Sequence, residues 1–258
     1  MAVSSDDFAN EWQRLVACLD VVERHAATHQ ERARVLAVRR AIEGDDLVGV
    51  LCHDLKDPLA AITMGTALLR KQLPNERAVE SLASATRRLD RVVQNARDLD
   101  VLRKGAFAPQ LRALPVASVI LPNVERMREA AAARKITIAF EPAGLRGSGD
   151  PNATSRAFAE LLDNAIGFAP EGTTVRVTLA EDATNVRVHV DDKGAGIDDA
   201  HLPHVFDEAK NRAHRPRRGA GRGLPLARGY AQAQGGDVEI STRSPNGCRA
   251  TLLIKRGV

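Results

Sequence analysis

The sequence predicts a multidomain chain: an all-α helical hairpin, arranged as a dimeric four-helix bundle, followed by an α+β sandwich. Three observations point there. Up to Phe107 the apolar residues recur at helical three- and four-residue steps. Beyond it, short runs that alternate apolar and polar residues are interleaved with helical stretches. The chain has 258 residues, 44% hydrophobic and 27% charged, enough for domains with cores of their own. Aromatic residues make up only 3%, so those cores must rest on Ala, Leu, Val and Ile.

Taken in order, the first segment is a helix. From Phe8 the positions Trp12, Leu15, Leu19, Val22, Ala26, His29, Ala33 and Leu36 follow in alternating steps of four and three, the spacing of a coiled-coil seam. We assign 1–44 to this connector helix. Gly44, followed by Asp45 and Asp46, breaks it and offers a new cap. The next helix carries HDLKDPL, with Leu51, Leu55, Pro58, Ile62 and Leu69 as the stripe to be buried, and runs to about Leu73, where LPNE supplies a turn. A second helix follows with Leu82, Ala85, Leu89, Val92, Ala96 and Leu99 on one face. Two antiparallel helices cannot bury both apolar faces alone, so a second copy of the 45–105 hairpin completes the bundle.

Residues 106–258 form the second domain. ILPNVERMREAAAARK reads as a helix, ITIAF as a strand and NATSRAFAELLDNAIGFA as a helix. TTVRVTLAE and NVRVHVDD read as a hairpin leading to DDKGAGID. GAGRGLPLARGYAQAQ is a glycine loop entering a helix, and DVEISTR and CRATLLIKR are the last strands. The expectation is a layer of antiparallel strands backed by helices.

Composition excludes several classes. A net charge of +4, with arginines spread along the chain, argues against nucleic acid as a partner. Cys18, Cys52 and Cys248 are far apart and form no metal or disulfide pattern, which fits a reducing compartment. No run approaches the ~18 apolar residues of a membrane span, and MAVSSDDFAN has no basic-then-apolar leader. The expectation is a soluble, cytoplasmic chain without a transmembrane segment.

Four groups of residues carry chemistry. His53 lies two residues from both Leu51 and Leu55, about 200° around a helix from the apolar stripe, so its imidazole faces solvent and is available as a nucleophile. Glu160 and Asn164 in ELLDNAI share one helix face, where a carboxylate and an amide hold hydrated Mg²⁺ against phosphate oxygens. Asp192, with Gly194 and Gly196, ends a strand; the glycines admit a flat ligand, and the carboxylate accepts a hydrogen bond from an exocyclic amine such as that of adenine. Gly219, Gly221 and Gly223 precede a helix N-terminus, whose free N–H groups suit a triphosphate. Upstream, KNRAHRPRR reads as a basic lid attracted to ATP phosphates.

The order of these motifs, from Leu47 to Ile254, resembles the sensor histidine kinases of two-component signalling, with a HisKA-type dimerisation and phosphoacceptor domain and a GHKL (Bergerat-fold) ATPase domain. HDLKDPL resembles the phosphoacceptor box, ELLDNAIGFAP the N box, DDKGAGID the first glycine box, HVFDE a degraded F box and GAGRGL the second glycine box. The resemblance implies that His53 attacks the γ-phosphate of ATP and that Asp54 orients its imidazole. It implies that Asn164 ligates Mg²⁺ with Glu160 assisting, and that Asp192 reads the adenine amine. Gly194, Gly196, Gly219, Gly221, Gly223 and Leu224 would shape the nucleotide pocket. Implied partners are a second copy through the hairpins, a response-regulator receiver domain, and an upstream sensor domain or protein.

This sequence departs from the family pattern at several positions. Asp57 stands where Thr or Asn is usual, and a carboxylate cannot donate a hydrogen bond to position water, which argues against phosphatase action. Gly167 replaces a residue that is often basic, and Arg222, in a usually apolar slot, is a candidate for the missing cation. Ala209 removes the second F-box aromatic and implies a looser lid. A nucleotide-binding scaffold without histidine transfer and a plain ATPase of the same fold remain as alternatives.

Overall fold

A computed structural model describes residues 47–73, 76–207, 222–243 and 246–257, with the side chains of 47–54, 56, 57 and 88 excepted. The expected connector helix of 1–44, the basic segment KNRAHRPRR, Ala209, Gly219 and Gly221 lie outside the described residues. The chain divides into two compact units between Asp100 and Val101.

The first unit is a helical hairpin of α1 (Leu47–Gln72) and α2 (Arg77–Arg103). Leu59 packs against Val93 with Ala96 beside them, and Thr66, Val79, Ala83 and Thr86 are also buried. Thr66 and Thr86 bury their methyl groups because their hydroxyls donate back to the carbonyls of Ile62 and Leu82, at 2.9 Å each. The expected α2 stripe holds at Ala96, which packs on that contact, and at Leu99, which is buried, and differs elsewhere. Leu55, Ile62 and Leu69 on α1 are 40–46% exposed, and Leu82, Leu89 and Val92 on α2 are 38–48% exposed. Each helix carries two apolar stripes, and periodicity does not say which one the neighbouring helix of the same chain takes. Among the described residues no helix is long and apolar enough to cross a membrane.

The second unit is a seven-stranded sheet with its helices on one face. Its elements are β1 (Arg112–Pro115), α3 (Val116–Ala132), β2 (Thr137–Glu141), β3 (Arg146–Gly149), α4 (Pro151–Phe168), β4 (Thr174–Glu181), β5 (Asn185–Asp191), α5 (Gly223–Ala233), β6 (Asp237–Thr242) and β7 (Cys248–Arg256). The sheet order is β1-β3-β7-β5-β4-β2, and β6 pairs with β7 beside β3. All pairs are antiparallel except β2 with β4. The parallel pair corrects the expected all-antiparallel layer. The chain between β2 and β4 contains α4, and a helical crossover returns a strand in the same direction. The four-residue strands β1 and β3 were too short to be read from alternation.

Strand alternation separates two faces. On β5, Val186, Val188 and Val190 are fully buried, as are Phe158, Leu161 and Leu162 of the covering layer. The intervening Arg187, His189 and Asp191 lie on the face without helices. Aliphatic residues do fill the core: of the aromatic side chains only Phe158 and Tyr230 are among the buried residues described. Phe107, where the sequence pattern changes, stands edge-on to Tyr230 with ring centroids 5.3 Å apart.

His189 sits in this open face, its Nδ1 2.9 Å from Thr251 Oγ1. Burial pushes its imidazole below the ordinary value; Arg249 and Arg187 add to the shift, and Asp191 and Glu239 oppose it. The unfolded chain therefore binds more protons than the native one as the pH falls below ~6.5. Native stability is expected to fall as pH drops through that interval and to be indifferent to His189 above it. Unfolding midpoints of the wild type and His189→Gln between about pH 5 and 7 check this: the wild-type curve slopes more steeply, and parallel curves would contradict it.

Candidate functional site

The helix α4 starts on a well-built cap. Asp150 accepts from the N–H groups of Asn152 (2.8 Å) and Ala153 (3.0 Å), and Pro151 fills the first helical position. Its other oxygen accepts from Gln110 N at 2.9 Å. Burial alone would raise this carboxyl; the Gln110, Ala153 and Asn152 donors outweigh it and hold it below the ordinary value. The stripe Ala157, Phe158, Leu161, Leu162 and Ala165 is buried in the core and fixes the rotation of the helix. Glu160, Asn164 and Phe168, spaced by four, then fall along one half-exposed edge.

The Asp192 turn meets the end of that edge. Asp192 is 9% exposed, and its Oδ1 accepts from Gly194 N at 2.7 Å and Cys248 N at 3.3 Å. Its own N–H donates to Cys248 O at 3.0 Å. A β-carbon on Gly194 would stand 3.0 Å from the carbonyl oxygen of Phe168, so this glycine lets the turn lie against the end of α4. Gly196 has a φ of +80°, and Thr242 Oγ1 donates to the next carbonyl, Ile197 O, at 3.0 Å. The tightest contact on Asp192 is at Gly247. It has a φ of +119°, and a β-carbon there would lie 2.2 Å from Asp192 O.

The third component is the start of α5. Arg222 is its N-cap, Gly223 its first residue, and Leu224 is buried beneath it. A β-carbon on Gly223 would come within 2.8 Å of Glu160 Oε2, so the carboxylate of α4 reaches the N-terminal turn of α5. The structure thus brings Glu160 to Gly223 and the Asp192–Gly194 turn to Phe168, four residues beyond Asn164. Among the described residues no cluster of three or more His, Cys, Asp or Glu side chains forms a metal cage. One carboxylate and one amide oxygen instead suit Mg²⁺ carried largely by phosphate oxygens. His53 and Asp54 lie in α1 of the first unit, where their backbone is helical.

Several contributors escaped sequence reading. Arg134 donates to the carbonyls of Ile166 and Gly167, placing a cation on the C-terminus of α4 beside the glycine that replaces the usual basic residue. Phe206 is stacked beneath the Arg228 guanidinium at 4.3 Å, and Arg228 in turn pairs with Asp237 at 2.8 Å. Neither arrangement leaves a local signal. Gly247 left one: SPNG is a turn sequence, although its role against Asp192 depends on pairing between distant strands.

Comparison with known proteins gives matches to two family models. Residues 45–105 match the His Kinase A (phospho-acceptor) domain, and residues 149–257 match the histidine kinase-, DNA gyrase B- and HSP90-like ATPase. The chain is 30% identical over 235 residues to the sensor-like histidine kinase SenX3 of Mycolicibacterium smegmatis, covering 87% of this chain and 59% of that protein. It is 28% identical to the sensor protein CreC of Escherichia coli, covering 85% of this chain and 48% of the other. The sensor protein KdpD of Clostridium acetobutylicum is 26% identical, covering 84% of this chain and 25% of that protein. The chain therefore spans between a quarter and about three-fifths of these curated relatives. Among solved structures it shares the fold of full-length ShkA in complex with AMPPNP, with a TM-score of 0.65 and 20% identity over 82% of this chain and 46% of that one. Acinetobacter baumannii AdeS gives a TM-score of 0.58 with 16% identity, over 80% of this chain and 98% of that one.

The Gly247 contact yields a direct test. Gly247→Ala forces a β-carbon into Asp192 O at a backbone angle that L-residues rarely adopt, and we expect it to cost the second unit at least about 2 kcal/mol. Urea unfolding of wild type and variant measures this, and an unchanged midpoint would refute the close approach.

Proposed function

The chain belongs to the sensor histidine kinase family, and on that premise we propose that it transfers the γ-phosphoryl group of ATP to His53 and from there to an aspartate of a response-regulator receiver domain. The observation that carries the nucleotide half of this reading is the Asp192 carboxylate. It is nearly buried, held by two backbone N–H groups and set against the end of the Glu160–Asn164 edge. A carboxylate fixed in this way suits an exocyclic amine donor. We assign 45–105 to dimerisation and phosphotransfer and 106–258 to ATP binding, with 1–44 as a connector from an upstream sensor domain or protein.

In this mechanism the imidazole nitrogen of His53 forms a bond to the γ-phosphorus as the bond to the bridging oxygen breaks, and ADP leaves. Asp54 accepts the other ring N–H and thereby fixes the tautomer that presents a lone pair. Asn164 and Glu160 would hold Mg²⁺, which would supply neutralisation of phosphate charge. Gly194, Gly196, Gly219, Gly221, Gly223 and Leu224 shape the pocket, and Arg222 supplies a cation at the α5 N-terminus. The stripes Leu55, Ile62, Leu69 and Leu82, Leu89, Val92, exposed in one copy, support dimerisation through a four-helix bundle. Dependence on ATP puts the kinase region in the cytoplasm.

Incubation with Mg²⁺ and ATP radiolabelled in the γ position, followed by acid and alkali treatment, tests the reading. The label is expected to survive alkali, fall away in acid, and be absent from His53→Gln and Asn164→Ala. Label that persists in His53→Gln would contradict it, and ATP turnover without labelled protein would favour the plain ATPase.

A further inference from the structure

The residue next to Asp192 faces the opposite side of the sheet and gathers two arginines on one carboxylate. Asp191, 6% exposed, receives a bidentate fork from Arg249: Nε to Oδ1 and Nη2 to Oδ2, both 2.7 Å. Arg243 Nη1 reaches the same Oδ2 at 2.6 Å. Three charge-assisted contacts thus converge on one carboxylate at the end of β5. Arg243 follows the last residue of β6, and Arg249 is the second residue of β7. Between them lie Gly247, which presses on Asp192 O, and Cys248, whose N–H donates to Asp192 Oδ1. Arg243 N also donates to Gly247 O at 2.9 Å.

This connectivity has a mechanical meaning. The backbone that holds the Asp192 carboxylate is Gly247–Cys248; Arg249 follows it directly, Arg243 N donates to Gly247 O, and both arginines are fastened to Asp191. A bidentate guanidinium–carboxylate pair fixes direction as well as distance, and near-burial of the carboxylate limits screening. An ordinary cross-strand pair would need only one of the arginines; the second ties in the end of β6.

We propose that Arg249 and Arg243 are positioning residues that act through Asp191 to aim the Asp192 carboxylate at the nucleotide base, and so set discrimination for the exocyclic amine of adenine. This rests on the reading of Asp192 given above. The clamp lies on the opposite sheet face and reads the base only through the turn it fastens.

The test compares dissociation constants, on the full chain, for ATP and for purine riboside triphosphate, which lacks the exocyclic amine. Wild type is expected to favour ATP by roughly tenfold or more, the worth of a hydrogen bond to a charged group. Arg249→Ala and Arg243→Ala are each expected to shrink that ratio toward one through weaker ATP binding, while purine riboside triphosphate binds much as before. Arg249→Lys, which keeps the charge but loses the fork, is expected to fall between, and it decides the matter if Arg249→Ala does not fold. A purely structural role would weaken both nucleotides alike and leave the ratio intact, which would overturn the clamp, as would affinities that do not change. A wild-type ratio near one would overturn the base-reading role of Asp192 itself, and the clamp with it.

Discussion

The close approach of Gly247 to the carbonyl of Asp192 is the constraint on which the proposed nucleotide site depends. A strand end and a turn meet there with no room for a β-carbon, and the turn then supplies Cys248 N–H to the Asp192 carboxylate. The same carboxylate oxygen takes Gly194 N–H, which folds the glycine box back against the last turn of α4. Because the buried stripe of α4 sets its rotation, Glu160 and Asn164 are presented along the edge that ends at this turn. Backbone donors and small residues do the positioning, and Glu160 and Asn164 stay half-exposed along that edge.

The helical hairpin obeys a different constraint, that of a core too thin for its own surface. Leu59, Val93 and a few small residues close the contact between α1 and α2, while six larger aliphatic side chains on the two helices stay 38–48% exposed. At about 25 cal/mol per Å² of apolar surface removed from water, covering such stripes is the main gain open to this unit. A second hairpin offers the same faces in return. In the proposed dimer the helix that carries His53 is completed by association, whereas the sheet and helices of the second unit enclose a full core within one chain.

Much of this was legible in the sequence, for identifiable reasons. Alternation marked β4 through β7, most plainly in β4 and β5, where Val175, Val177, Val186, Val188 and Val190 turn into the core at every second position. The motif pairs within a single element, Glu160 with Asn164 and Asp192 with Gly194, could be read because helix and turn geometry fix them locally. Three things could not be read. The faces used within the hairpin depend on which of two apolar stripes meets its neighbour. The parallel pairing of β2 with β4 depends on the route of the crossover. Arg134, Arg228 and the Arg243–Asp191–Arg249 cluster act across distances in sequence that leave no periodic trace. Sequence-local chemistry was visible, and the supports that aim it were not.

Hydrogen exchange of the full chain with and without saturating ATP and Mg²⁺ tests the central claim most directly, because it reports where the nucleotide is held without presupposing the reaction. The account predicts that added protection gathers in three separate stretches: 160–168 at the end of α4, 191–197 in the Asp192 turn, and 223–230 in α5. Protection confined to the helices of 47–103, or protection of α5 without the Asp192 turn, would contradict it.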